Sequence, residues 1–207
     1  MNLSTLRRDV SLSPPVRPAR PSDAVRLARI ESCSWRHAYA GMVPEGLLRR
    51  MEPAWLADRW RVRIHCASRC LWVIEDQGVV AGYASIGDAD HPDLEPGFAG
   101  EVFELYVHPE QQRCGLGRAL LSSALDTMRG LGRLWGVLEV LQDNHQARRF
   151  YEAFGMQTDK IVRRRPSGLW CSIGGRRYSH SHGSVRVVRY EIPLQPALRG
   201  RIPDLGG

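Results

Sequence analysis

The 207-residue chain has no apolar run long enough to span a membrane. Its opening stretch, MNLSTLRRDVSLSPPVRPAR, carries arginines but no apolar core of the kind a secretory signal needs. Both absences point to a soluble, cytoplasmic protein. The five cysteines, Cys33, Cys66, Cys70, Cys114 and Cys171, are odd in number and irregular in spacing. None forms a close-paired CxxC, which leaves a zinc ribbon or a redox dithiol unsupported and reads as free thiols in a reducing compartment. The GKS or GKT of a Walker loop is missing, and so is the GxGxxG of a dinucleotide site. There is no zinc finger, no RNP-like aromatic pattern and no basic zipper. No internal repeat is visible.

Hydrophobic residues make up 43% of the chain, enough for a packed core and too many for a disordered protein. The length suits one domain, here residues 16–194, between a tail over 1–15 and a second tail over 195–207. The formal charge is +7, and arginine far outnumbers lysine. Arg163 to Arg165 and Arg176 to Arg177 carry much of that excess near the C-terminus. Basic surface attracts nucleic acid, an acidic peptide or an anionic cofactor, but a solvated arginine-rich face without a ligand is an equal reading.

Val16 to Ala19 reads as a short strand. A helix follows, which Ser22 or Asp23 can cap and which carries Leu27, Ile30 and Ser34 along one side. A second helical stretch starts at Pro44. A third starts near Pro53, with Leu56, Trp60 and Ile64 recurring every four residues. CLWVIED and VVAGYASIG, separated by Gln77 and Gly78, read as a hairpin. DADHPDLEPGFAG is a loop. EVFELYVHP is a strand with Glu104 and Tyr106 on one face and Phe103, Leu105 and Val107 on the other. A long helix with Leu116, Leu120, Ala124 and Met128 in one stripe comes next, then the strand LWGVLEVL. Asn144 can cap a short helix whose Ala147, Phe150, Tyr151 and Phe154 share a face, and Gly155 ends it. Strands near Met156–Arg164 and Ser184–Leu194 complete the order, joined by a polar, glycine-containing connection over 166–183.

The segment VHPEQQRCGLGRALLSSALD carries the most chemistry. A strand ends at Val107, and Gly115 and Gly117 precede an amphipathic helix. Glycine permits close backbone approach. The first N–H groups of a helix lack intrahelical partners and lie at the positive end of the dipole, so they suit a diphosphate. Arg113 and Arg118 add charge at the rim.

These residues resemble the GNAT superfamily of N-acetyltransferases. QRCGLG matches the Q/R-x-x-G-x-G/A loop through Gln112, Gly115 and Gly117. NHQARRFYEAFGM matches the family's downstream segment through Asn144, Ala147, Phe150, Tyr151 and Gly155. SWRHAYAGMVPEGLL resembles an upstream region through Trp35, Tyr39, Gly41 and Pro44. The resemblance implies an α/β (α+β) fold: a mixed, mostly antiparallel sheet of about seven strands with helices on both faces. It implies a splay between the strands at Glu101–Val107 and Leu134–Leu141.

The resemblance further implies transfer of an acetyl group from acetyl-CoA to a primary amine by direct attack in a ternary complex. Backbone groups of Leu105, Tyr106 and Val107 would flank the pantetheine arm. Gln112, Arg113, Cys114, Gly115, Leu116, Gly117 and Arg118 would hold the pyrophosphate. Asn144 is a helix cap, a cofactor contact or both. Tyr151 is the candidate acid for the departing thiolate. Glu104 is the candidate base, with Glu101 and Glu139 as weaker alternatives and water as another. Trp35 and Tyr39 either line the acceptor pocket or pack the first helices. Cys114 is a poor candidate nucleophile. His180 and His182 read as loop residues, and with Cys171 they imply no metal geometry. The acceptor, a small molecule or a protein amine, stays open, and so does a homodimer. The competing functions are a coenzyme-A-binding regulator without catalysis and, further off, a basic nucleic-acid-binding protein.

Overall fold

A computed structural model describes residues 15–166, 172–173, 176–177, 184–196, 198 and 202. The tail read over 1–15, apart from Pro15, lies outside the described residues, as do Cys171, His180 and His182. The elements run β1 (Val16–Pro18), α1 (Ala24–Ala38), α2 (Glu45–Arg49), α3 (Pro53–Arg63), β2 (Cys70–Asp76), β3 (Val79–Asp88) and β4 (Ala99–Val107). They continue as α4 (Leu116–Gly130), β5 (Trp135–Leu141), α5 (His145–Phe154), β6 (Gln157–Pro166), β7 (Ser172–Ile173), β8 (Arg176–Arg177) and β9 (Ser184–Pro193). The small β7–β8 pair sits inside the connection that the sequence presented only as a polar loop.

The seven-stranded sheet has the order β1-β2-β3-β4-β5-β9-β6. Its strand pairs are antiparallel except β4 with β5. Helices α4 and α5 bury their apolar sides on one face, where Leu116, Leu120, Ala124, Met128 and Tyr151 meet Ile74, Ala84, Leu138 and Val188. On the other face α1 and α3 place Leu27, Ile30, Leu56 and Trp60 against Val73 and Tyr83. The mixed sheet with helices on both sides is the fold expected from the sequence. A third cluster, Ala89, Leu94, Ala99, Trp135 and Val137, receives Leu198 and Ile202 from the C-terminal segment. Among the described residues no helix is long and apolar enough to cross a membrane.

Local chemistry explains most boundaries. Gln77 and Gly78 both have positive φ, 50° and 77°, which a two-residue turn between twisted strands requires. Pro53 opens α3 at a position whose N–H would have no partner. Gly155, at φ 109°, ends α5. Asp23 precedes α1 but does not cap it with its side chain. Its carboxylate turns back to accept from the Arg20 backbone N–H at 2.7 Å and from Arg17 at 2.8 Å. A guanidinium offers a charged bond that the next helical turn does not.

The alternation expected along β4 fails at Phe103. Ser85 pairs with Glu104 and Ile86 with Val102, leaving Phe103 as an extra, bulged residue. One inserted residue reverses the period, so Val102 joins Leu105 and Val107 on the α4 side. Phe103 instead lies under the Arg69 guanidinium, 3.7 Å from its ring centre.

Strands β4 and β5 pair only through Ala99–Trp135, Gly100–Gly136 and Glu101–Val137. Helix α4 rests on this closed end. A Cβ on Gly100 would come within 2.6 Å of Met128 Cγ, and one on Gly136 within 2.6 Å of Leu125 Cδ2. Those neighbours are flexible side-chain atoms. At Gly82 on β3 the obstacle is rigid, because a Cβ there would lie 2.7 Å from the Tyr106 carbonyl oxygen. Gly82→Ala is therefore expected to destabilise the protein by about 1–3 kcal/mol. Gly130→Ala, with nothing within 4 Å of its Cβ, is expected to be neutral or stabilising. Thermal melts of the two variants against the parent check both outcomes.

Candidate functional site

A cavity of about 700 Å³ opens where β4 and β5 part. Beyond Glu101, β4 keeps β3 on one side and has no strand partner on the β5 side. Leu105, Tyr106 and Val107 therefore line the cavity with strand backbone facing the gap. The Val107 carbonyl accepts from Gln112 Nε2 at 3.1 Å and Ser34 Oγ at 3.3 Å, which ties the strand end to the following loop and to α1.

That loop forms a cradle at the start of α4. Gly115 occupies the N-cap position at φ 84°, and no side chain caps the helix. The first α4 N–H groups are thus left for an external acceptor. The left-handed dihedral would strain any residue with a Cβ. Gly117 also lines the cavity, and a Cβ there would sit 3.6 Å from Phe150. Arg113, itself at φ 67°, and Arg118 stand at the wall, with Arg118 5.0 Å above the Phe154 ring. Two members of the expected set fall outside the wall. The Cys114 thiol is exposed and faces the Gln112 carbonyl at 3.5 Å, and the Leu116 side chain is buried in the core.

Helix α5 and its cap add further wall residues, among them Asn144 and Tyr151. Asn144 Oδ1 accepts from the Ala147 N–H at 3.1 Å, so this side chain is a helix cap that also borders the cavity. Tyr151 reaches the same space from a buried position. Burial, with a smaller contribution from Tyr39, pushes its phenol above the usual tyrosine range. From α1, Trp35 packs edge-on against Tyr39 at 5.0 Å, and the Tyr39 and Tyr106 hydroxyls share a hydrogen bond of 3.1 Å. Both Trp35 and Tyr39 line the cavity as well as packing the helix.

Four carboxylates line this space: Glu31, Glu101, Glu104 and Glu139. Glu31 accepts from Arg59 Nη2 at 2.7 Å and from Trp60 Nε1 at 2.8 Å. Burial raises the proton affinity of Glu31, and the Arg59 charge opposes that. Glu104 is held by Arg63 through a close contact from Nη2 to Oε2. Glu139 accepts from both arms of the Arg165 fork, at 2.6 and 2.9 Å. Glu101 makes no hydrogen bond to an arginine among the described residues, although the Arg69 and Arg165 charges act on it from further off. Its Oε2 lies 3.3 Å from His91 Nε2.

The arginine partners and His91 were not legible as site residues. Glu31 carried one usable signal: it follows Leu27 by four positions, on the buried side of an amphipathic helix, where an acid calls for a partner. His91 sits in a polar loop with no periodicity to place it. Among the described residues no group of three or more His, Cys, Asp or Glu could hold a metal ion.

The family model described as acetyltransferase (GNAT) family matches residues 30–156. The uncharacterized N-acetyltransferase YuaI of Bacillus subtilis is 29% identical over 140 residues, covering 67% of this chain and 78% of that protein. The L-amino acid N-acyltransferase MnaT of Escherichia coli is 39% identical over 84 residues, 40% of this chain, and the match spans just under half of that relative, 47%. The structure of yncA from Salmonella typhimurium, solved with its cofactor acetyl-CoA, superposes with a TM-score of 0.56 at 25% identity, covering 93% of this chain and 98% of that one. With the splayed sheet, the glycine cradle and a matched span of this length, the chain belongs to the acetyltransferase (GNAT) family.

Proposed function

We propose that this protein transfers an acetyl group from acetyl-CoA to a primary amine, with Glu101 as the proton acceptor and Tyr151 as a hydrogen-bond donor to the leaving sulfur. The observation that carries the choice of base is the pairing pattern. A guanidinium occupies carboxylate oxygens of Glu31, Glu104 and Glu139, which leaves those side chains less free to approach an amine. Glu101 faces a histidine instead. It also stands at the last paired position of β4, where the ladder fixes the backbone and the side chain faces the opening.

Bound acetyl-CoA would supply the acyl group as a thioester. The chain's own residues fit that molecule. The open N–H groups before Ala119 would hold the pyrophosphate, and the free edge of β4 would accompany the pantetheine arm. Tyr151 keeps its proton at neutral pH because its phenol titrates above the ordinary range, so the donor form is present throughout. The acceptor we favour is the α-amine of a free amino acid, the class named for the Escherichia coli relative. Trp35, Val43 and Leu47 offer an apolar wall for its side chain.

The test is a panel of free amino acids, polyamines and N-terminal peptides with acetyl-CoA, reading released thiol. Turnover on free amino acids supports the full reading, and turnover only on peptides moves the acceptor class. Coenzyme A binding with no turnover across the panel leaves a regulator. Glu101→Gln is expected to lower kcat about 100-fold or more. Glu104→Gln is expected instead to cost about 3 kcal/mol of stability by leaving Arg63 unpaired, with a smaller effect on kcat. Tyr151→Phe is expected to lower kcat by about 100-fold, by the same factor from about pH 6 to 9, since the phenol does not titrate there. For the cradle, Gly115→Val is expected to weaken coenzyme A binding at least about tenfold, and Arg113→Ala only a few-fold. Calorimetric titration with coenzyme A reads both.

A further inference from the structure

His91 lies in the loop between β3 and β4 and is 6% exposed. Three charged groups face its ring, each from a different strand. Glu101 Oε2 on β4 is 3.3 Å from Nε2, and Glu139 Oε1 on β5 is 3.8 Å from Nδ1. Arg165 Nη2 on β6 is 3.4 Å from Nδ1. A guanidinium only donates, so Nδ1 must be the accepting nitrogen. The ring proton of neutral His91 then sits on Nε2. That nitrogen is buried and has no aligned acceptor, and the Glu101 carboxylate is the group it faces.

We infer that His91 is a positioning residue for the proposed reaction: its Nε2–H, fixed by Arg165 on the opposite nitrogen, orients the Glu101 carboxylate as proton acceptor. The inference rests on the reading of Glu101 given above. A proton relay from Glu101 to His91 does not fit this tautomer, because Nε2 already carries a proton. The arrangement has a chemical rationale. An imidazole with its proton on Nε2 would approach one carboxylate oxygen without the direct guanidinium bond that Glu31, Glu104 and Glu139 accept, while the Arg69 and Arg165 charges act on Glu101 only from further off. The other oxygen is left for the amine, directly or through water. Arg165 does two things at once: it takes up Glu139 and it sets the His91 tautomer.

The experiment uses the full chain with acetyl-CoA and the fastest amine of the panel, across a pH range, in Glu101→Gln, His91→Leu and His91→Gln. His91→Leu is expected to lower kcat about tenfold or more while leaving the KM for acetyl-CoA unchanged. His91→Gln, whose amide N–H reaches the place of Nε2, is expected to recover most of the rate. A folded His91→Leu protein with the parental kcat overturns the inference, and so does a His91→Gln protein no faster than His91→Leu. If Glu101→Gln keeps the parental rate, the base reading fails first. If Glu101→Gln is inactive and His91→Leu is unaffected, only the role of His91 falls. Should His91→Leu fail to fold, nitrogen-15 spectra of histidine in the parent protein at pH 8 decide. A resonance pattern with the proton on Nε2 supports the inference, and a proton on Nδ1 overturns it.

Discussion

The parting of β4 from β5 is the constraint on which the rest of this structure depends. Three residue pairs hold the strands together, and the third is Glu101 with Val137. The closed end is tight because glycines occupy both middle positions, Gly100 and Gly136, and α4 rests on them through Met128 and Leu125. From Leu125 the same helix runs back to Leu116, which at 1.5 Å per residue is about 13 Å. One rigid element therefore seals the sheet at one end and presents unpaired N–H groups at the other. The bulge at Phe103 bends β4 beyond the closed end and turns Val102 into the core. Glu101 is left at the boundary, with its backbone in the ladder and its side chain at the opening.

Burying several carboxylates around one cavity is expensive unless each is compensated. Here the compensation comes mostly from arginines distant in sequence: Arg59 for Glu31, Arg63 for Glu104 and Arg165 for Glu139. Away from the cavity, Arg189 is almost fully buried and bonds Glu191 at 2.9 Å and Asp93 at 2.7 Å. The arginine count is thus a poor measure of surface charge in this protein. Composition counts a buried, paired guanidinium and a solvated one alike, which is why the basic balance pointed to no partner in particular.

Local patterns were legible where a residue's role depends on its neighbours in sequence. The two-residue hairpin at Gln77 and Gly78, the Asn144 cap and the Gly155 stop each rest on backbone chemistry within a few positions. The amphipathic stripe of α4 was equally plain, because burial on one face imposes a period. The bulge at Phe103 was not legible, since EVFELYV alternates without interruption and only pairing with β3 shows the extra residue. The Asp23 carboxylate left its expected cap for Arg17, a partner on a separate element. The cavity set followed the same division. Gly115, Gly117 and Tyr151 stand in contiguous motifs, whereas the choice among Glu101, Glu104 and Glu139 depends on partners up to 41 positions away, as with Arg63 and Glu104.

The relative proton affinities on the two sides of the cavity also shape what the residues can contribute. An ordinary thiol titrates near about 8.5 and an ordinary phenol near about 10. Burial raises Tyr151 further, so full transfer of its proton to a thiolate is uphill. The contribution open to Tyr151 is a hydrogen bond that stabilises charge on the leaving sulfur while the phenol keeps its proton. In the proposed reaction the proton that ends on sulfur would then come from the attacking nitrogen, which would make removal of the first amine proton the step most dependent on a well-placed base. A carboxylate whose oxygens are taken by an arginine would serve that step badly, and a carboxylate left to rotate would serve it little better. As the proposed base, Glu101, with its backbone held in the ladder and its carboxylate faced by His91 in place of a bonded arginine, would avoid both faults.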